Sequence, residues 1–176
     1  MLTFTPLGGP SLKIAGGSKP IVAFPPKIYP DTVNLLAGPE EQPPKDAISW
    51  PGEYDVAGIT IRGIGQLEGQ KVSYLVEVDG VRIAFPASPL EDWSEFDIER
   101  LGEVHILVLP GENAKVCQTL LDEVDPRAVF LVPASDGSIH PDVLKLCGAV
   151  GKEAVSEYKL KGALPVEGRE VVVFKA

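Results

Sequence analysis

The chain has 176 residues, enough for one domain that buries its own core without disulfides or structural metal. Hydrophobic residues make up 44% and charged residues 23%, which excludes a disordered chain. Twenty-five acidic residues against sixteen basic ones leave a net charge of −9 with no Lys/Arg run, which argues against a nucleic-acid surface.

The first half reads as strands separated by turns. Residues 2–5 and 11–15 flank the turn Gly8-Gly9-Pro10, and residues 21–24 form a short apolar run. Pro25, Pro26 and Pro30 interrupt regular structure before a further run at residues 32–37. Residues 38–45 are rich in Pro, Glu and Gln and read as loop. Residues 47–50 lead into Pro51-Gly52-Glu53-Tyr54-Asp55, a turn-rich pentad, and residues 56–64 are strand-like. Val72, Tyr74, Val76 and Val78 alternate along a strand at residues 71–79, with Leu75 as the exception. Asp79-Gly80 then predicts a tight hairpin into residues 81–85.

The second half alternates strand and helix. A short helix is predicted at residues 97–101 and a buried strand at 104–109. Asn113 caps a helix through Val124, whose stripe is Val116, Cys117, Leu120, Leu121 and Val124. A strand follows at residues 127–132. Ser138 or His140 opens a short helix with Pro141 in its first turn, Val143, Leu144 and Cys147 inside, and Gly148 as its stop. Residues 155–160 and 170–174 read as a terminal strand pair. The order implies an α/β (α+β) fold, a two-sheet sandwich with outer helices, in a single domain over residues 1–176.

No stretch approaches the roughly 20 apolar residues of a membrane span, and no charged-then-apolar leader opens the chain. The expectation is a cytoplasmic protein with no membrane partner. Cys117 and Cys147 are expected to be reduced core residues, a redox or disulfide role being the alternative.

Three segments carry a family resemblance. They are Ile48-Ser49-Trp50-Pro51-Gly52-Glu53-Tyr54-Asp55-Val56-Ala57-Gly58-Ile59, Tyr74-Leu75-Val76-Glu77-Val78-Asp79-Gly80-Val81-Arg82-Ile83 and Leu101-Gly102-Glu103-Val104-His105-Ile106-Leu107-Val108-Leu109-Pro110. In this order they resemble the metallo-β-lactamase superfamily, in its small UlaG-like branch of zinc-dependent hydrolases. The resemblance implies a four-layer αββα sandwich of two mixed sheets flanked by helices. It also implies imidazole and carboxylate ligands converging on one or two ions that activate water. Here the place of the family's HxHxDH motif reads Leu36-Ala37-Gly38-Pro39-Glu40-Glu41. The next ligand histidine falls at Gly65-Gln66, the bridging aspartate near Ser88, and the last histidine near Ser135. The resemblance therefore implies an ancestral zinc site that has lost its ligands, with no metal and no other cofactor.

Other residues offer donors for a rebuilt site. His105 lies inside an apolar run where relatives often carry Asp, and it reads as a structural histidine. His140 reads as a helix cap. Glu40-Glu41 reads as solvated loop, and Glu53 and Asp55 as turn hydrogen-bonders; an oxygen-only cation site is the sharper alternative. Ser88 and Ser135 are candidate nucleophiles in the old cleft, with Asp136 beside Ser135, although no GxSxG elbow surrounds either. Gly63-Ile64-Gly65 lacks the rest of a dinucleotide fingerprint. Trp50, Tyr54 and Trp93 are read as packing residues. The expected function is a non-catalytic binding or assembly module for a small molecule or protein. The alternatives are a hydrolase of altered mechanism using oxygen ligands, Ser88, Ser135, Asp136 or Glu53, and a homo-oligomeric scaffold joined through Trp93 or Phe96.

Overall fold

A computed structural model describes all 176 residues. In chain order the strands are β1 (Leu2–Gly8), β2 (Ser11–Ala15), β3 (Ile21–Ala23), β4 (Val33–Leu35), β5 (Ala47–Ile48), β6 (Gly52–Val56), β7 (Ile59–Gln66), β8 (Lys71–Val78) and β9 (Val81–Phe85). Helix α1 (Glu95–Leu101), strand β10 (Ile106–Pro110), helix α2 (Ala114–Val124), strand β11 (Ala128–Val132), helix α3 (Pro141–Leu146), β12 (Tyr158–Leu160) and β13 (Glu170–Val173) follow. They form a six-stranded sheet, β12-β1-β2-β3-β4-β5, and a seven-stranded sheet, β13-β11-β10-β9-β8-β7-β6. Both are mixed, with parallel pairs at β3–β4–β5 and at β9–β10–β11–β13.

Alternation along the strands decides what lies between the sheets. Leu2, Phe4, Leu12, Ile14, Val33 and Leu35 from one sheet meet Ile61, Tyr74, Val76, Ile106, Val108 and Phe130 from the other. Phe4 stands edge-on to Phe130 at 4.8 Å, and Phe174 and Tyr158 meet the same ring at 5.5 and 5.3 Å. Each such pair contributes about 0.5–1.5 kcal/mol beyond its buried area. A second core lies on the outer face of the seven-stranded sheet, where Ile64, Ala84, Leu107, Leu109, Val129 and Leu131 meet the helices. Leu75 belongs to it, which explains its departure from the alternation: β8 is buried on both faces.

The helices follow their caps. Ser94 Oγ accepts from Asp97 N–H, so α1 starts two residues before the predicted boundary. Asn113 caps α2, and Val116, Cys117, Leu120 and Leu121 of the predicted stripe are buried, while Val124 is half-buried. The Arg169 guanidinium closes the other end of α2, reaching Leu121 O at 3.3 Å and Asp125 at 2.8 Å. His140 Nδ1 accepts from Asp142 N–H at the start of α3, with Pro141 in the first turn.

Three strand assignments differ from the sequence reading. The pentad at residues 51–55 is not a turn: Gly52–Val56 is edge strand β6, paired with β7. The strand read at residues 56–64 is broken by Ala57-Gly58, both at positive φ, which turn β6 into β7. The terminal segments do not pair as one ladder. β12 runs antiparallel to β1 and β13 parallel to β11, in different sheets, and only Val155 bridges to Phe174. The expected sandwich of two mixed sheets with outer helices is present, but all three helices pack on the seven-stranded sheet.

Loops cover part of the other sheet's outer face. There Asn34, fully buried on β4, accepts from Tyr29 N–H and donates to Tyr29 O, Thr32 O and Asp46 O. One amide thus ties the proline segment before β4 to the loop after it.

Candidate functional site

Strands β9, β10 and β11 are parallel neighbours, so their C-terminal ends share one edge of the sheet. Ligand sites of open α/β sheets favour this edge. Ser88 follows β9, Glu112 follows β10 and Ser135 follows β11. Glu112 is the residue that the sequence reading missed. One carboxylate oxygen accepts the Ser88 hydroxyl, and the other accepts Leu90 N–H at 3.1 Å. Its only sequence signal is a carboxylate two residues beyond a wholly buried parallel strand.

Four more side chains hold the same loop. Ser73 Oγ accepts from Ala87 N–H at 2.9 Å and donates to Gln66 Oε1 at 3.0 Å. Gln66 Nε2 donates to Asp92 O at 3.4 Å. Lys71 Nζ donates to Pro89 O at 2.6 Å and pairs with Glu91 at 3.1 Å. Asn113 Nδ2 donates to Leu90 O at 3.4 Å. Gln66 and Ser88, matched above to ligand positions, therefore share one hydrogen-bonded loop.

Residues 36–41 have other anchors. Their main chain is joined to the opposite sheet: Tyr74 Oη donates to Leu36 O at 2.6 Å and to Ile48 O at 3.0 Å, and Val72 N–H donates to Ala37 O at 2.8 Å. Burial raises the Tyr74 phenol above its ordinary value of 10.0, with Tyr54 adding and the Leu36 hydrogen bond opposing. Glu40 is held by its backbone, from Trp50 Nε1 at 2.8 Å and to Ser49 Oγ at 3.2 Å, while its side chain and Glu41 are exposed. Phe24, Pro25 and residues 36–40 line a surface depression of about 450 Å³.

The remaining candidates do not converge on either feature. Ser135 is exposed beside the β1–β2 turn, where a Cβ on Gly9 would lie 3.8 Å from its Cα. Asp136 accepts from Ser138 N–H at 2.9 Å and Ser138 Oγ at 2.8 Å, and these bonds hold its carboxyl below the ordinary 3.8. Its hydrogen bonds thus go to Ser138, away from Ser135. His105 sits at the N-terminal end of β10, on the opposite edge, accepting from Arg82 N–H at 3.0 Å with Glu103 at 3.3 Å. Glu53 pairs across strands with Arg62 at 2.7 Å. Trp93 is only 7% exposed, so it offers no contact surface, whereas Phe96 is 67% exposed. Gly63 and Gly65 serve the crossing between sheets: a Cβ on either would lie 3.0 Å from Trp50 O or Pro51 Cγ.

A zinc centre needs imidazole, thiolate or carboxylate donors converging on one point. At this edge the donors are amide, hydroxyl and the carboxylates of Glu112 and Glu91, and those of Gln66, Ser73, Ser88, Glu91 and Glu112 already have protein partners. No group of three or more His, Cys, Asp or Glu side chains is placed to hold a metal ion. The residues present do not fit the ion.

No protein-family profile and no curated protein matches the chain in sequence. Solved structures do match in fold. A Thermotoga maritima protein assigned to the zinc-dependent hydrolases of the metallo-β-lactamase superfamily has a TM-score of 0.76 at 19% identity, covering 99% of this chain and 98% of its own. Igni18, a metallo hydrolase from Ignicoccus hospitalis, has a TM-score of 0.61 at 11% identity over 91% of this chain and 99% of its own. CmlA, a diiron β-hydroxylase from Streptomyces venezuelae, scores 0.65 at 9% identity, with 91% of this chain matching 54% of CmlA. With this sheet order and these structural neighbours, the chain has the metallo-β-lactamase fold.

Proposed function

We propose that the chain is a non-catalytic member of this fold that works as a binding or assembly module in the cytoplasm. One observation carries the reading. At two positions matched to ligands, Gln66 donates to the loop at Asp92 O and Ser88, within that loop, donates to Glu112, so both side chains are engaged in holding the loop. The binding surface in this reading is the depression lined by Phe24, Pro25 and residues 36–40. Apolar walls and a main-chain rim suit a small molecule or a protein segment with an apolar anchor. The half-exposed Trp50 lies beside it. A second copy of the chain, meeting through Phe96, is the oligomeric form of the same reading.

Screening fragments by NMR tests it. Shifts confined to Phe24, Leu36, Ala37 and Gly38 support the depression; hits that map to Ser88, Glu112 and Ser135 contradict it. A hydrolase of altered mechanism is favoured by one contact, the Ser88 hydroxyl on the Glu112 carboxylate. A serine nucleophile needs a base whose other side is oriented by a third group. Here the second carboxylate oxygen is engaged by Leu90 N–H. Loss of a measured hydrolase activity in Ser88→Ala, with fold retained, would establish that second reading.

A further inference from the structure

We propose that Glu112, with Ser73, Gln66 and Lys71, forms a cation-independent latch that fixes the loop at residues 86–92 over the strand ends. The loop joins β9 to the segment leading into α1, and it has no regular structure of its own. A free connection of this kind would be mobile. Instead, polar side chains from three strands or their ends bind it on both flanks. Gln66 comes from the end of β7, Lys71 and Ser73 from the start of β8, and Glu112 from beyond β10.

The bonds fall along the whole loop: Ala87 N–H, the Ser88 hydroxyl, Pro89 O, Leu90 N–H, the Glu91 carboxylate and Asp92 O. Glu112 is the centre because one carboxylate takes two donors from neighbouring residues. Charge-assisted bonds of that type are about twice as strong as neutral ones. Gln66 and Ser73 are buried, so losing a partner there leaves a group that water does not reach. Both Glu112 oxygens, the Gln66 amide and the Ser73 hydroxyl all have protein partners. The latch therefore closes without an ion. This goes beyond the binding-module reading, since it holds whether or not residues 36–40 take a ligand.

Amide hydrogen exchange of the full chain reads the latch directly. In Glu112→Ala the Leu90 amide should exchange about tenfold faster or more, the scale of a lost charge-assisted bond, while the β10 amides of Leu107 and Leu109 keep their protection. Should that variant fail to fold, Ser88→Ala serves, with a smaller rise at Leu90 because the Glu112–Leu90 bond remains. In the unaltered chain, EDTA or added zinc should leave Leu90 exchange unchanged. Unchanged Leu90 exchange in the variants, or faster exchange on chelation alone, overturns the proposal.

Discussion

Replacing Tyr74 by Phe tests how the two sheets are joined beside the depression. The substitution keeps the ring, its place between the sheets and its tilted contact with Phe24 at 6.2 Å. It removes only the hydroxyl, which donates to Leu36 O at 2.6 Å and Ile48 O at 3.0 Å. Ile48 O keeps a second donor, Leu36 N–H at 2.9 Å, so the loss falls mainly on Leu36 O. Leu36 is half-buried, so water replaces part of that bond. One neutral bond lost and one carbonyl partly stranded cost about 1–2 kcal/mol. For a domain of this size that lowers Tm by about 2–8 °C. Urea unfolding, with m unchanged, is the assay. A change below about 0.5 kcal/mol, the range of neutral surface substitutions, would refute the claim that this hydroxyl joins the sheets.

The same phenol sets an alkaline limit. Its folded pKa is raised, so the native state keeps the proton while the unfolded chain ionises near 10.0. The phenol's stabilisation is complete below that pH and is lost as pH climbs toward the folded value; the raised thiols of Cys117 and Cys147 add a loss that starts near 9.0, so unfolding midpoints should fall above about pH 9 and fall less steeply above pH 10 in Tyr74→Phe. Burial lifts the Cys117 thiol to about 12 and the Cys147 thiol to about 11. Both should react with a thiol reagent at pH 8 only after denaturant is added. Gly111→Ala would push a Cβ to 2.7 Å from Ile139 Cα and should cost about 1–3 kcal/mol or more by chemical denaturation. Glu53→Ala breaks an exposed pair with Arg62 and should change stability by less than about 1 kcal/mol.

Much of the architecture was legible because the chain states it locally. Asp79-Gly80 marks the β8–β9 hairpin, Asn113 the start of α2, and the Val-Ser-Tyr-Leu-Val alternation the buried strand β8. Three features were not legible, each for a long-range reason. Leu75 looked like a break in period until the helix layer supplied its second core. Residues 52–56 read as turn because Gly52 and its proline are turn chemistry, yet pairing with β7 overrode them. Residues 155–160 and 170–174 looked like partners because they are sequence neighbours, but each found a better edge in a different sheet.

At the site, the absence of ligand-type residues at Gln66 and Ser88 could be read from the sequence once the resemblance was drawn. Their actual partners could not. Glu112 lies 24 residues from Ser88, and no local spacing links them. Ser135 and Asp136 were adjacent in sequence, but the Asp136 carboxylate turned to Ser138, as a short Asx turn dictates.

Metal analysis of the purified chain, followed by calorimetric titration with zinc and manganese, tests the central claim most directly. The account predicts far less than one ion per chain as purified, no saturable site on titration, and the same Tm in EDTA as in zinc. One tightly held ion per chain, whose removal lowers Tm, would show that the strand-end donors rearrange into a metal centre and would contradict the account.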